Sequence, residues 1–285
     1  MFKTFKILFL LIILIILGFV FYNNRVVIKE YFSEPEKIDL PEEIKFEKIH
    51  EDIVEKEVIL KDDNVDVEFV ETQGIASPLV NENNNVEEIN PSPNLEFGDG
   101  INLAVPFTIQ SPNQKWDEPY KEGCEEASIL MVQAFLNDDN ITVDSALKDI
   151  GAMIDWQMEN YEGHFDLPVS MTVQVAKEFL NLKAEIIYLE SIEDIKEIIK
   201  TGYPLILPTA GRELGNPNFT GEGPLYHMLV VKGFLEDGSI ITNDPGTRRG
   251  ENYIYDQDVL WNAIADWDRE RKNPDQNIKV GILLK

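Results

Sequence analysis

A break in composition near residue 100 limits where this chain can fold. Residues 30–100 carry 21 acidic and 5 basic residues, with Asn/Pro/Ser-rich pieces at 81–85 and 90–94. So little apolar content and so much like charge cannot offset the ordering entropy of a packed core. A solvated, largely disordered acidic stalk is therefore expected over residues 30–100. The globular part has to come from residues 101–285, enough chain for one good-sized core.

Ahead of the stalk, residues 7–22 form an almost unbroken apolar run between Lys3 and Lys6 on one side and Asn23, Asn24 and Arg25 on the other. That run falls just short of the ~17–25 residues of a spanning helix, and Phe2, Phe5, Val26 and Val27 extend it. A cleaved signal peptide would want small residues just after the run, and Phe19, Val20, Phe21, Tyr22 and Asn23 supply none. The expectation is an uncleaved, single-pass membrane anchor over residues 1–29. Lys3 and Lys6 against Arg25 and Lys29 leave the positive-inside count close to a tie. A short N-terminus before a large body is most simply inserted with the body on the extracytoplasmic side.

The net charge of −27 argues against a nucleic-acid partner, whose phosphates would be repelled. A single cysteine, Cys124, excludes an internal disulfide framework and a Cys-based zinc site. Three histidines (His50, His164 and His227) are too few for a multi-histidine centre, so neither metal nor cofactor is expected.

Within residues 101–285 the pattern is helices first and strands after, an α+β domain. Val105 to Gln110 reads as a strand. From Cys124, apolar residues recur at helical spacing through Ala127, Leu130, Met131, Ala134 and Phe135. Further helices are expected over 143–161, 171–181, 192–200 and 256–267, the last capped by Asp256. Strands are expected over 184–189, 203–208, 225–234, 240–244, 253–255 and 279–284, with a hairpin turn at 236–239. The tryptophans Trp156, Trp261 and Trp267 fall on helical patterns and read as core.

Cys124 follows Gly123 at the head of its helix. There the unpaired N–H groups of the first turn favour a thiolate and can hold a developing oxyanion. His227 opens one strand of a hairpin, and Asp244 closes the other beside Pro245. The two can meet at one sheet end, as a base held in one tautomer by a carboxylate requires. Each alone has a plainer reading: a small core residue, a core histidine, an Asn-Asp-Pro-Gly turn. Together they make a Cys–His–Asp set.

Val105-Pro106-Phe107-Thr108-Ile109-Gln110 with Trp116, Gly123-Cys124 opening a helix, His227 to Phe234, and Asn243-Asp244-Pro245-Gly246 together resemble the C39-like branch of the papain-fold cysteine peptidases. The resemblance covers roughly residues 101–285. It implies a papain-like fold with N-terminal helices packed on an antiparallel sheet. It also implies Cys124 as nucleophile, His227 as general base and acid, Asp244 orienting the imidazole, and Gln110 donating to the oxyanion. Gln114, nearer the cysteine, is the alternative donor, and Asn243 the reserve for Asp244.

The chain departs from many relatives in following its cysteine with Glu125-Glu126, preceded by Glu122, where those have Gly-Pro. Carboxylates so close favour the protonated thiol. One of them, Glu125, could instead bind a cationic part of the substrate. Arg248, beside Arg249 after the Asp244 turn, could bind a substrate carboxylate or serve an exposed loop. His164 lies in a loop that could line a cleft, and His50 reads as a surface residue. The expected function is a membrane-anchored thiol hydrolase acting on a peptide or protein substrate through a thioester acyl-enzyme. The alternatives are an acyl transferase or amidase on the same fold, and a catalytically inactive peptide-binding module.

Overall fold

A computed structural model describes residues 38–46, 48, 100–161 and 163–285. The expected anchor and most of the expected stalk lie outside the described residues, as does His50. Among the described residues no helix is long and apolar enough to cross a membrane. The chain divides into two units, Met1–Leu40 and Pro41–Lys285. Of the first only residues 38–40 are described, without regular structure. The second carries the helices and strands.

Among its described residues, five α-helices and ten strands make this unit a mixed α+β domain. Helix α1 (Cys124–Leu136) is buried at nearly every position, Glu125 and Glu126 included. It packs on strand β5 and on α2 (Val143–Asn160). Helix α2 begins with a reciprocal cap in which Ser145 N donates to Thr142 Oγ1 at 3.1 Å and Thr142 N to Ser145 Oγ at 2.9 Å. It buries Ala146, Ile150, Met153, Ile154 and Gln157, one face of a 3.6-residue period. Helix α3 (Val169–Glu178) starts straight after Pro168, and α4 (Ile192–Lys200) begins with a capping box between Ser191 and Asp194.

The strands are β1 (Glu43–Ile44), β2 (Gly100–Leu103), β3 (Ala184–Tyr188), β4 (Leu205–Thr209), β5 (His227–Leu235), β6 (Ile240–Asn243), β7 (Tyr253–Tyr255), β8 (Asp266–Asp268), β9 (Asn273–Asp275) and β10 (Val280–Leu284). The main sheet runs β1-β2-β5-β4-β10-β3, with β6 on β5 and β7 on β6; β8 and β9 form a separate ribbon. Every pairing is antiparallel except β1 with β2. Strand β5 holds the sheet together. Its residues 227–231 pair with β4, its end with β2, and residues 230–234 with β6 across a bulge at Val231/Gly233. Gly233 is required there, because a Cβ would stand 2.0 Å from the Ile101 carbonyl oxygen.

Two expected elements take other forms. Residues 105–110 are not a strand: β2 ends at Leu103, and Pro106 has no N–H for a ladder. The helix expected to reach Trp267 is α5 (Gln257–Ala263), capped by Asp256, whose Oδ1 accepts from Asp258 N and Val259 N. The chain then turns extended, with Ile264 bridging to Thr209 and Ala265 N bonding the Pro208 carbonyl at 3.1 Å. Trp267 accordingly stands half-buried on β8 rather than on a helix.

The start of the expected stalk also takes part in the fold. Glu43 and Ile44 pair with Asn102 and Leu103, Asn102 Nδ2 donates to the Pro41 carbonyl at 3.2 Å, and Ala104 N to that of Ile44 at 2.9 Å. Phe46 meets the rings of Phe135 and Tyr203 edge-on, each at 5.5 Å. Lys232, 1 % exposed beside the bulge of β5, donates to Glu43 Oε1 and Asn252 Oδ1, both at 2.7 Å. A buried ammonium without its anion is costly, so Glu43→Ala should lower unfolding stability by roughly 1–3 kcal/mol in urea titrations. The same change in a Lys232→Met background should cost far less, because no buried charge remains to be stranded.

Candidate active site

Three local structures bring the expected residues together. The 3₁₀ turn Tyr120–Glu122 and Gly123 deliver Cys124 to the N-terminus of α1. The pairing of Thr209 with His227 holds His227 at the first position of β5, and Thr209 Oγ1 donates to the His227 carbonyl at 2.9 Å. Strand β6 ends at Asn243 opposite Val230, and the turn after it swings the Asp244 carboxylate under the imidazole.

His227 Nε2 lies 2.7 Å from Asp244 Oδ1, and both residues are buried. That oxygen also accepts from Gly246 N at 2.9 Å, while Oδ2 accepts from Tyr255 Oη at 2.6 Å and Asn216 Nδ2 at 3.1 Å. Burial pushes the Asp244 carboxyl up, but the His227 charge and the hydrogen bonds from His227, Tyr255 and Gly246 outweigh it and hold its pKa below the ordinary value. Phe219 meets the His227 ring edge-on at 5.4 Å. A Cβ on Gly246 would come within 2.8 Å of His227 Cε1, so that position admits only glycine if the ring is to keep its place.

Cys124 lies alongside but is turned inward. Among the described residues its thiol donates to Glu125 Oε2 at 3.0 Å and accepts from Met228 N at 3.4 Å. Burial, then the charge and hydrogen bond of Glu125, push its pKa well above the ordinary thiol value; only the Met228 N–H works the other way. Glu125 is therefore not placed to bind substrate as expected. It is 1 % exposed, with its second oxygen accepting from Leu167 N at 2.9 Å. Burial, with Glu126 and Asp166 adding, pushes its carboxyl well up.

Glu126 continues the buried polar layer, accepting a short hydrogen bond from Gln157 Nε2. His164 belongs to this layer and not to the wall of the cleft. Its Nε2 is 3.4 Å from Glu126 Oε1, an ionic contact without hydrogen-bond alignment. Burial disfavours the charged imidazole, yet the adjoining Glu126, with Glu122 and Glu118, raises its pKa overall.

Gln110 is buried beside the site, with its amide turned to the loop: Nε2 donates to the Lys121 carbonyl at 2.5 Å and to that of Tyr120 at 3.4 Å. It holds the turn that delivers Cys124 and has no N–H directed at an oxyanion. Gln114 accepts from Arg248 Nη1 at 3.2 Å, and both line a separate depression with Phe107 and Val143. Arg248 is thus away from the cleft. Asn243 donates to the Val105 carbonyl at 2.9 Å and accepts from Asn252 N at 3.1 Å, which leaves the contact with His227 to Asp244. Among the described residues no group of His, Cys, Asp or Glu has the arrangement of a metal centre.

A cleft of about 530 Å³ opens beside His227, lined by Gln110, Trp116, Asp166, Phe219, Pro224 and Tyr226 among others. Sequence reasoning missed Tyr255, Asn216 and Phe219, which support Asp244 and His227. The signal for Tyr255 was weak: a tyrosine on the strand next to β6, with no spacing that pairs it with the turn.

The profile of the Peptidase_C39 like family matches residues 102–273, more than half of the chain, and the chain belongs to that family. A crystal structure from Bacillus anthracis, of a protein assigned by inference as a C39-like peptidase, is 18 % identical. It covers 66 % of this chain and 98 % of its own, at a TM-score of 0.38. No curated protein matches.

Asp166 gives the site a pH signature. Burial, then Glu122, pushes its carboxyl up to about 6, against His164, His227 and Lys121. A carboxyl whose folded value lies above its unfolded ~3.9 binds protons better when folded, so stability falls as pH rises between those values. Allowing for partial solvent screening, Asp166 should account for about 1–2 kcal/mol of that fall. Chemical denaturation of Asp166→Asn between about pH 4 and pH 7.5 should show a shallower decline than the wild type.

Proposed function

We propose that this chain is a cysteine peptidase that hydrolyses a peptide or amide bond through a thioester on Cys124. The observation that carries the reading is the buried His227–Asp244 pair, 2.7 Å apart, beside the chain's one thiol at a helix N-terminus. With Nε2 committed to Asp244, Nδ1 is the ring nitrogen left for proton traffic with the reacting groups. The thiol proton passes to a base beside it as Sγ attacks the carbonyl carbon and returns to sulfur when the thioester breaks, and the N–H groups of the first turn of α1 stabilise the oxyanion. His227 protonates the departing amine, then takes a proton from the water that releases the acid. The cleft beside His227 has room for a side chain of a peptide or protein substrate.

The apolar run at residues 7–22 supports a tether that places this domain at a membrane surface, on the extracytoplasmic side. A second reading, a peptide-binding module without turnover, is favoured by one observation: the thiol is bonded to Glu125 and not to His227. An acyl transferase shares the acylation step and differs in the amine that accepts the acyl group.

The test is incubation of the full chain, in detergent, with a complex peptide library, reading new termini by mass spectrometry. Cleavage that disappears in Cys124→Ala is expected, and no new termini from the wild type would leave the binding module. Asp244→Asn should keep the ring in place yet lower kcat by about 10²–10⁴-fold, because the amide no longer holds the productive tautomer.

A further inference from the structure

The thiol proton of Cys124 points away from the residue expected to take it. Its hydrogen bond runs to Glu125 Oε2 at 3.0 Å, in a layer closed to solvent. Glu125 is fixed from its other oxygen by Leu167 N, and the Met228 N–H donates to sulfur at 3.4 Å. A carboxylate so held has its free lone pairs on the nucleophile.

Resting on the peptidase reading above, we infer that Glu125 is a catalytic residue: it accepts the proton of Cys124 as sulfur attacks and returns it when the thioester breaks. The proton inventory closes. In acylation the S–H bond breaks and an O–H bond forms on Glu125, while the sulfur lone pair makes the S–C bond. His227, protonated on both ring nitrogens and bonded to Asp244, gives its Nδ1 proton to the leaving amine. In deacylation His227 takes a proton from water as the hydroxyl oxygen bonds to the acyl carbon. The S–C bond breaks, and Glu125 re-protonates the thiolate. The cycle ends as it began, with a thiol, a carboxylate and a protonated imidazole.

This division of labour lets His227 keep its proton for the leaving group, where a Cys–His pair alone must first take it from the thiol. The surroundings make Glu125 a strong enough base. Cys124 and Glu126 face it from its own helix, Asp166 and the Leu167 N–H from the segment before α3, and Tyr226 from the loop just before β5. Of the ionisable groups among these, none is a cation. Burial among carboxylates and neutral donors raises the proton affinity of the Glu125 carboxyl, the direction a proton acceptor requires.

The experiment is the rate of Cys124 alkylation by iodoacetamide in the full chain, from acidic to alkaline pH, in wild type and Glu125→Gln. Glutamine keeps the bond from Leu167 N but cannot take a proton. If Glu125 is the acceptor, Glu125→Gln should alkylate at least about 10-fold more slowly near neutral pH, with the gap closing at high pH. If Glu125 only crowds the thiol with negative charge, removing that charge lowers the thiol pKa and speeds alkylation. An equal or faster rate therefore overturns the inference. Should Glu125→Gln fail to fold, infrared difference spectra of the wild type on alkylation decide. A carboxylic-acid C=O band gained with the S–C bond supports the transfer, and no change in any carboxyl band overturns it. Peptide cleavage by the wild type tests the peptidase reading separately. A wild type that cleaves peptides but fails these signatures overturns only the role of Glu125.

Discussion

The site depends on one strand having both edges bonded. Strand β5 takes β4 and β2 along one side and β6 along the other, and its first residue is His227. A histidine at the end of a freely hanging strand would fray with it. Here pairing with Thr209 and the hydrogen bond to its carbonyl fix the backbone. The turn after β6 then reaches the ring from below, held by Asp244 N to the Gly250 carbonyl at 2.9 Å and Gln110 N to the Pro245 carbonyl at 3.0 Å. That last bond ties the loop ahead of the Cys124 helix to the turn carrying Asp244. Two halves of the site, more than a hundred residues apart in sequence, thus share one backbone contact.

The electrostatics are the more unusual half of the design. Glu125 and Asp166 act on a buried thiol, and desolvation penalises each as an anion, while Glu126 lies buried next to Glu125. The layer is tolerable because its protons can be shared and its oxygens are mostly occupied, by Leu167 N, Gln157 and the thiol itself. Asp244 is the contrast. It is as deeply buried, but three donors and an imidazole keep it ionised, and Tyr255, its pKa raised by burial and by Asp244, remains a phenol that can donate. One buried carboxyl is built to stay charged and another to change its protonation state, which is how a single fold separates an orienting group from a proton carrier.

Much of the fold was legible where local signals agreed with tertiary ones. Residues 192–200 and 253–255 came out at their observed bounds, the first because a strong 3.6-residue period starts at a capping box. Cys124, His227 and Asp244 stood out as candidates from residue type and position, and the structure brings the last two into contact. The failures were tertiary overrides. Residues 264–267 continue a helical pattern but find better partners in β4 and β9, and in the charged segment at 41–46 Glu43 and Ile44 pair with β2 while Glu43 meets buried Lys232. Glu125 was read as a group that could bind a cationic part of the substrate; no local rule says that a helix start carrying two glutamates will be buried on every side.

That last error bears on mechanism. At a typical helix N-terminus a glutamate in the first turn faces water and serves the dipole. Helix α1 is enclosed from its first residue, so the same position becomes interior, and a side chain that would have been solvated must find its partners within the protein. Sulfur and a backbone N–H are the ones within reach. Burial of the whole helix thus converts an ordinary dipole-complementing glutamate into a group of raised proton affinity in direct contact with the thiol. The enclosure of α1, more than the identity of any one residue, sets the acid–base character of this site.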